Sequence, residues 1–416
     1  MPTCRSFRRG LRASAALIVV LAASVGPPAS GQTPDPAVDA VRQEIAALRS
    51  EYEQRIAALE QKLADLTALQ EMQAEAQPAP LPPPPPTTAT TAATQTANYF
   101  NPAISLVGNF LAAAGDNRGG ELQNASLRES ELGLQAVVDP YARADLYLSF
   151  GEEGVEVEEG YVTLTSLPAQ FLARVGRMRA HFGKVNTLHL HTLPWADDPL
   201  PVVNLLGDEG WIGTGVSVAR LIPLGNTFSE LTLDVLRADS PGLFAADSLG
   251  DLAWNAHYRV FSDLTDSSNL DLGLSYAVGP NGVEPNTDTQ LQGLDVTYRW
   301  KPLQQGLYRG LILRGELYQS QRETDRLRED AVGWYLSGEY QLAKRWWLGG
   351  RYEASERAAA PALRDTGEAL LLTFSPSEFL QLRGELRRRD LAEGLTSDDF
   401  LLQLQFAIGA HGAHPF

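Results

Sequence analysis

Lysine, cysteine and long apolar runs are scarce in this 416-residue chain. Its one cysteine, Cys4, falls in a segment expected to be removed, which leaves no disulfide and no thiol chemistry for the mature protein. Lysine stands only at Lys62, Lys184, Lys301 and Lys344, and the formal net charge is -17. Without a basic stripe there is nothing to neutralise phosphates, so nucleic acid is excluded as a partner. Beyond the first 31 residues no apolar run approaches the about 20 residues of a membrane-spanning helix. Gly-x-Ser-x-Gly, a nucleotide loop and paired-cysteine metal ligands are also missing, so the chain is read as not an enzyme and as needing no cofactor.

What is present falls into four stretches of different character. Arg5, Arg8, Arg9 and Arg12 precede the apolar run Ala13 to Val25 and the small residues Ala29, Ser30 and Gly31. Residues 1–31 therefore read as a secretory signal peptide. Over 35–76, Val41, Ile45, Leu48, Tyr52, Ile56, Leu59, Leu63 and Leu66 recur at threes and fours with no Gly or Pro between them. Such a narrow seam predicts an α-helical coiled coil, with self-association through 41–66 because an isolated helix would leave the seam in water. Residues 77–99, with Pro82–Pro86 followed by Thr and Ala, read as an extended linker.

From residue 100 to 416 the period becomes two. Phe400, Leu402, Leu404, Phe406 and Ile408 alternate with Leu401, Gln403, Gln405 and Ala407, and Leu294, Val296, Tyr298 and Trp300 alternate with Asp295, Thr297 and Arg299. Segments of this kind recur from 101–114 to 399–408, about 16 in all, an even number suited to a barrel with an aqueous lumen. Short connections such as Asp139-Pro140-Tyr141 alternate with longer or more polar ones at 116–124, 151–154, 181–210, 239–250, 279–288, 321–330, 357–366 and 390–398. Tyr141, Phe171, Phe228, Trp300, Tyr308, Trp346 and Phe379 stand at strand ends, where an interfacial girdle belongs, and the chain closes on Phe416. Alternation alone also fits a soluble sandwich; the leader, the aromatic strand ends and the lack of cysteine favour a transmembrane barrel of antiparallel strands.

With the heptad segment 41–66, the proline-rich linker, the alternating strands and Phe416 in view, the layout resembles Gram-negative outer-membrane porins of the phosphate-selective porin O and P-like superfamily. That resemblance implies an outer-membrane location, a trimeric channel for small solutes, a periplasmic N-terminal segment and a constriction built from inward loops and charged side chains. Phosphate selectivity in that superfamily would use lysine clusters, which are missing here. The alternatives are a structural barrel that tethers the membrane to cell-wall or other periplasmic partners, and a metal-related, receptor-like barrel.

Strand parity makes Arg143, Asp145, Arg174, Glu230, Asp234, His257, Arg259, Asp295, Arg299, Arg314, Glu316, Arg351, Arg383 and Glu385 the candidate pore-lining residues. Both signs occur, so they predict either an ion-paired, hydrated wall or a transverse field that sorts solutes by charge. The connection 181–210 is long enough to fold inward and narrow the pore. Its His189-x-His191 pair with Asp197 nearby has the ligand types that suit zinc.

Overall fold

In the computed structural model the residues described are 61 and 102–409, apart from 152, 153, 226 and 326. The leader, the heptad segment apart from residue 61, the linker and Phe416 lie outside them. Among the described residues sixteen strands follow one another in chain order, first β1 (Ala103–Gly115), β2 (Ala125–Asp139), β3 (Ala142–Gly151), β4 (Gly154–Leu164) and β5 (Phe171–Arg179). After the 180–211 segment come β6 (Ile212–Leu221), β7 (Phe228–Arg237), β8 (Leu252–Thr265), β9 (Ser268–Pro280), β10 (Asp288–Trp300) and β11 (Leu311–Glu323). The last five are β12 (Arg328–Ala343), β13 (Trp346–Arg357), β14 (Ala360–Ser377), β15 (Leu380–Leu391) and β16 (Leu395–Gly409).

Every strand pairs antiparallel with its neighbours in sequence, and β1 closes the ring on β16 from Ser105↔Gly409 to Gly115↔Asp399. Closure leaves no sheet edge, which is what a sheet in hydrocarbon requires. The faces are inverted relative to a soluble protein. Leu274, Leu336 and Leu386 are each 58% exposed, whereas Asp234 and Glu385 are fully buried. A leucine surface this extensive is not stable in water, so the fold is a transmembrane β-barrel with a charged interior. Tyr141, Phe228, Tyr308, Trp346 and Phe379 lie exposed at the short-turn end, and Trp254, Tyr276, Tyr352 and Phe400 towards the other.

Several connections expected to be long are tight. Composition alone predicts loops over the polar stretches 321–330, 357–366 and 390–398. Instead their residues continue the ladder, with Arg322↔Glu329, Ser355↔Asp365 and Arg389↔Ser397 paired across extended hairpins. Backbone pairing continues past the apolar belt, because only side-chain hydropathy has to change where lipid ends.

The barrel has a core of its own, formed by the segment between β5 and β6. It contains one short helix, α1 (Leu200–Leu206), and short 3-10 turns at Val185–Thr187 and Leu190–Thr192. Phe182, Trp195, Leu206 and Trp211 are fully buried and cluster with inward residues of the wall such as Leu236, Leu291 and Tyr318. Trp195 sits edge-on to Tyr335 at 5.1 Å, and Phe182 lies 5.3 Å from Tyr318. The segment therefore lies inside the lumen and packs against its wall.

Candidate functional site: the lumen and its inserted segment

Asn186 ties the base of the insertion. Its side-chain amide donates to the carbonyls of Ala180 (2.8 Å) and Trp211 (3.0 Å), and its oxygen accepts the Trp211 N–H at 2.7 Å. Gly183 passes close to the wall at φ +63°, where a Cβ would meet Glu316 Oε2 and the Tyr318 hydroxyl at 2.4 Å. Only glycine combines that backbone with that approach.

From there the segment crosses to the opposite wall through inward side chains. The backbone N–H groups of Val185, Ala196 and Leu200 donate to Glu316 (2.9 Å), Glu385 (2.9 Å) and Glu353 (3.0 Å). Asp234 accepts from the His181 N–H at 2.9 Å, and Asn255 donates to the His181 carbonyl at 2.9 Å. Lys184 pairs with Asp271 at 2.7 Å, and Arg383 donates to the Trp195 carbonyl at 2.9 Å. The strongest clamp is Asp197, whose carboxylate takes Arg351 (2.6 Å), Arg387 (2.6 Å) and Arg389 (2.8 Å). Burial pushes the Asp197 carboxyl up, but the three guanidiniums outweigh it and hold it well below the ordinary carboxylate range. Arg351 also stacks over Trp195 at 5.0 Å.

The inward residues inferred from parity therefore divide. Asp234, Glu316, Arg351, Arg383 and Glu385 hold the insertion and do not face a water-filled bore, because the segment's unpaired backbone N–H and C=O groups need partners there. Arg143 pairs with Asp145 (2.9 Å), Arg259 with Asp271 (2.7 Å) and Arg314 with Glu339, while His257 bonds Ser275 at 2.8 Å. Arg174 lies over the Tyr161 ring at 5.1 Å. Glu230 and Asp295 line a cavity with Arg143, and Arg299 sits half-buried on β10.

The expected metal grouping needs a correction. Asp197 is not beside the histidines; its oxygens are occupied by arginines of β13 and β15. The carboxylates that meet His189 and His191 come from β2 and β4. His189 Nδ1 bonds Glu131, and its Nε2 bonds Glu159 Oε2 at 2.9 Å. Two bulges assemble this group. The β1–β2 register slips between Asn109 and Phe110, which turns Arg128 inward beside Glu129. The β3–β4 register slips between Tyr147 and Leu148, which brings Glu158 and Glu159 to the lumen together, both buried. Strict alternation assigns consecutive residues to opposite faces, so sequence reasoning missed Glu158, Glu159 and Arg179; the parity of Glu129 and Glu131 was the available signal.

The insertion leaves two main spaces. A cavity of about 830 Å³ opens at the long-loop end, between Glu121, Glu156, Asp198, Asp208, Arg387 and Arg389. Another of about 330 Å³ lies towards the short turns, with Arg143, Glu159, Arg174, His189, Glu230 and Arg259 among its lining. A pocket of about 260 Å³ beside Glu129, Glu158 and Arg179 shares Arg128, Glu156, Asp198 and Asp208 with the larger space. The His–Glu group and the Arg179–Glu158 pair thus form a septum between the two ends.

No family model matches the chain. An uncharacterized protein of Aquifex aeolicus is 30% identical over 339 residues, 71% of each chain. The anion-selective porin of Comamonas acidovorans superposes with a TM-score of 0.53 at 14% identity, over 74% of this chain and 100% of that one. Pseudomonas putida OprB, in a high-pH structure, gives 0.53 at 10% identity, over 74% of this chain and 94% of its own. At those identities the two porins share the fold with this chain. The extent of the Aquifex match goes further: this chain belongs to one family with that Aquifex aeolicus protein, and its described residues form a porin-like, sixteen-stranded barrel.

Proposed function

We propose that the protein is an outer-membrane porin, a passive channel for small hydrophilic solutes whose bore is set by the inserted segment 180–211. The observation that carries this reading is the polar space on both sides of that segment, about 830 and 330 Å³, inside a closed barrel with an apolar exterior. Passive passage requires a wetted route and no chemistry, and such a lumen provides the setting for one. The septum carries Glu129, Glu131, Glu158 and Glu159 against Arg179 and His189, an excess of carboxylates that favours cations over anions. The anion preference in the name of the Comamonas porin is therefore not carried over.

The N-terminal parts complete the proposal. Residues 1–31 direct export, 35–76 form a periplasmic coiled coil that makes a homotrimer through 41–66, and 77–99 link it to the barrel. In this arrangement the outer surface contacts outer-membrane lipid.

Conductance of the full chain, folded in detergent and inserted in a planar bilayer, tests the reading. Small steps in groups of three, a reversal potential of cationic sign, and larger steps once 181–210 is replaced by a short Gly/Ser linker are expected. The deletion is tolerable because the exposed carboxylates and guanidiniums become hydrated rather than orphaned. A protein that inserts yet stays silent in both forms would refute the channel.

A further inference from the structure

The septum has more buried acid than its protein partners satisfy. Glu129, Glu131 and Glu158 are 5%, 1% and 8% exposed, and one oxygen of each (Glu129 Oε2, Glu131 Oε1, Glu158 Oε2) has no hydrogen-bond partner among the described residues. Buried, unpaired carboxylate oxygens are costly, and such groups either take up a proton or pair with a cation. The spacing of the donor atoms indicates which kind. His191 Nδ1 stands 3.6 Å from Glu131 Oε2 and 3.8 Å from Glu129 Oε2, and His189 Nδ1 stands 3.4 Å from Glu158 Oε2. These separations are long for hydrogen bonds. They match the about 3.4 Å between two ligands of one tetrahedral ion whose bonds are about 2.1 Å long; the His189 Nδ1–Glu131 Oε2 hydrogen bond is the one contact of the group that an ion would have to replace. The ligand atoms of Glu131, His189 and His191 lie within 4.8 Å of one another, as do those of Glu129, Glu131 and Glu158.

We propose that Glu131, His189 and His191, completed by Glu129 or Glu158, bind one divalent first-row transition-metal ion in the septum. Imidazole nitrogens select such an ion over calcium or magnesium, which take oxygen ligands. The outer partners fit as well. His189 donates its other ring nitrogen to Glu159 Oε2 at 2.9 Å, and Arg179 donates its backbone N–H to Glu159 Oε1 at 2.7 Å. A carboxylate on the far nitrogen is what orients a metal-ligating histidine and strengthens it as a donor. Ions can arrive from either side, since His189 lines the 330 Å³ space and Glu129 and Glu158 the 260 Å³ one. The inference stands whether or not the barrel conducts.

The test uses the full chain folded in detergent, carrying His411→Ala and His414→Ala to remove the histidines near the C-terminus, stripped with chelator and titrated with Zn²⁺ by calorimetry. One Zn²⁺ per chain is expected, and Co²⁺ in its place should show visible d–d bands of a nitrogen- and oxygen-ligated site. Glu131→Gln with His191→Ala should weaken Zn²⁺ binding by more than about 100-fold, and Glu159→Gln by about 10–100-fold with the stoichiometry kept. Heat-modifiable migration on gels reports whether each variant has folded. Should the double variant not fold, X-ray absorption at the zinc edge of the parent protein decides, two imidazole scatterers supporting the site and none overturning it. Absence of stoichiometric Zn²⁺ and Co²⁺ binding by the folded parent would also overturn it, leaving a cluster held by protons alone. So would a double variant that binds within about threefold of the parent.

Discussion

Asp197→Ala should release the inserted segment from one wall while leaving the barrel closed. In the wild type this carboxylate is 5% exposed and holds three guanidiniums, of which Arg351 is 3% exposed, Arg387 4% and Arg389 7%. Arg387 keeps Asp399 at 3.1 Å and Arg351 keeps Glu353 at 3.2 Å, so the loss is partial for each. Removing one partner of a buried pair costs about 3–5 kcal/mol, chiefly because the opposite charge is left uncompensated. The cluster is already next to the 830 Å³ cavity, so water can enter and the lower end applies. About 3 kcal/mol corresponds to a shift of roughly 150-fold towards the undocked segment. Single-channel recording should show longer-lived large-conductance states, and limited proteolysis should cut within 186–206 faster. Arg388→Ala is the control, since Arg388 faces outwards and meets Asp398 at only 3.6 Å with both side chains more than half exposed; a pair of that kind is worth about 0–1 kcal/mol. If Asp197→Ala matches Arg388→Ala in both assays, the carboxylate does not hold the insertion, and the clamp as described is wrong.

Acid should act on the same clamp late. The Asp197 carboxyl is held well below its ordinary 3.8, so its contribution is fully present above that value and is lost only as pH falls through the lower, folded value. The difference in conductance pattern between the wild type and Asp197→Ala should therefore stay constant from about pH 7 to about pH 5, and convergence of the two near pH 5 would contradict the assignment. Leu274→Arg, on the outer face where Leu274 is 58% exposed, should cost about 2–4 kcal/mol if it lies at mid-membrane. Urea titration of folding into vesicles measures this, and a neutral result would place that face outside lipid. Asn186→Ala removes three hydrogen bonds at the base of the insertion and strands buried backbone groups. A loss of about 1–3 kcal/mol is expected, read as faster hydrogen exchange across 180–190.

The sixteen-strand barrel was legible because a lipid-facing strand must alternate, and a closed ring must have strands that all do so. Parity alone also assigned Asp145, Asp234, Asp295, Glu316, Arg351 and Glu385 to the interior, where each is buried. Hairpin lengths at 321–330, 357–366 and 390–398 were misjudged, since polar residues beyond the lipid belt pair as readily as they loop. The site was less legible. His189 and His191 could be singled out from residue type, yet Asp197, six residues further on, faces the opposite wall. Their true neighbours, Glu131, Glu158 and Glu159, lie 30 to 58 positions earlier than His189, and the pair Glu158 and Glu159 reaches the histidines only through the register slip between β3 and β4.

The sequence by itself determined which face of each strand meets lipid and which meets the lumen, because transfer of side chains between water and hydrocarbon depends on residue type and period alone. Only the tertiary structure decided what the lumen contains. A bulge costs little and reverses parity, and an insertion as long as 180–211 can follow many paths through a barrel. The path taken here is the one on which the N–H groups of Val185, Ala196 and Leu200 and the carboxylate of Asp197 all find buried partners on strands far away in the chain.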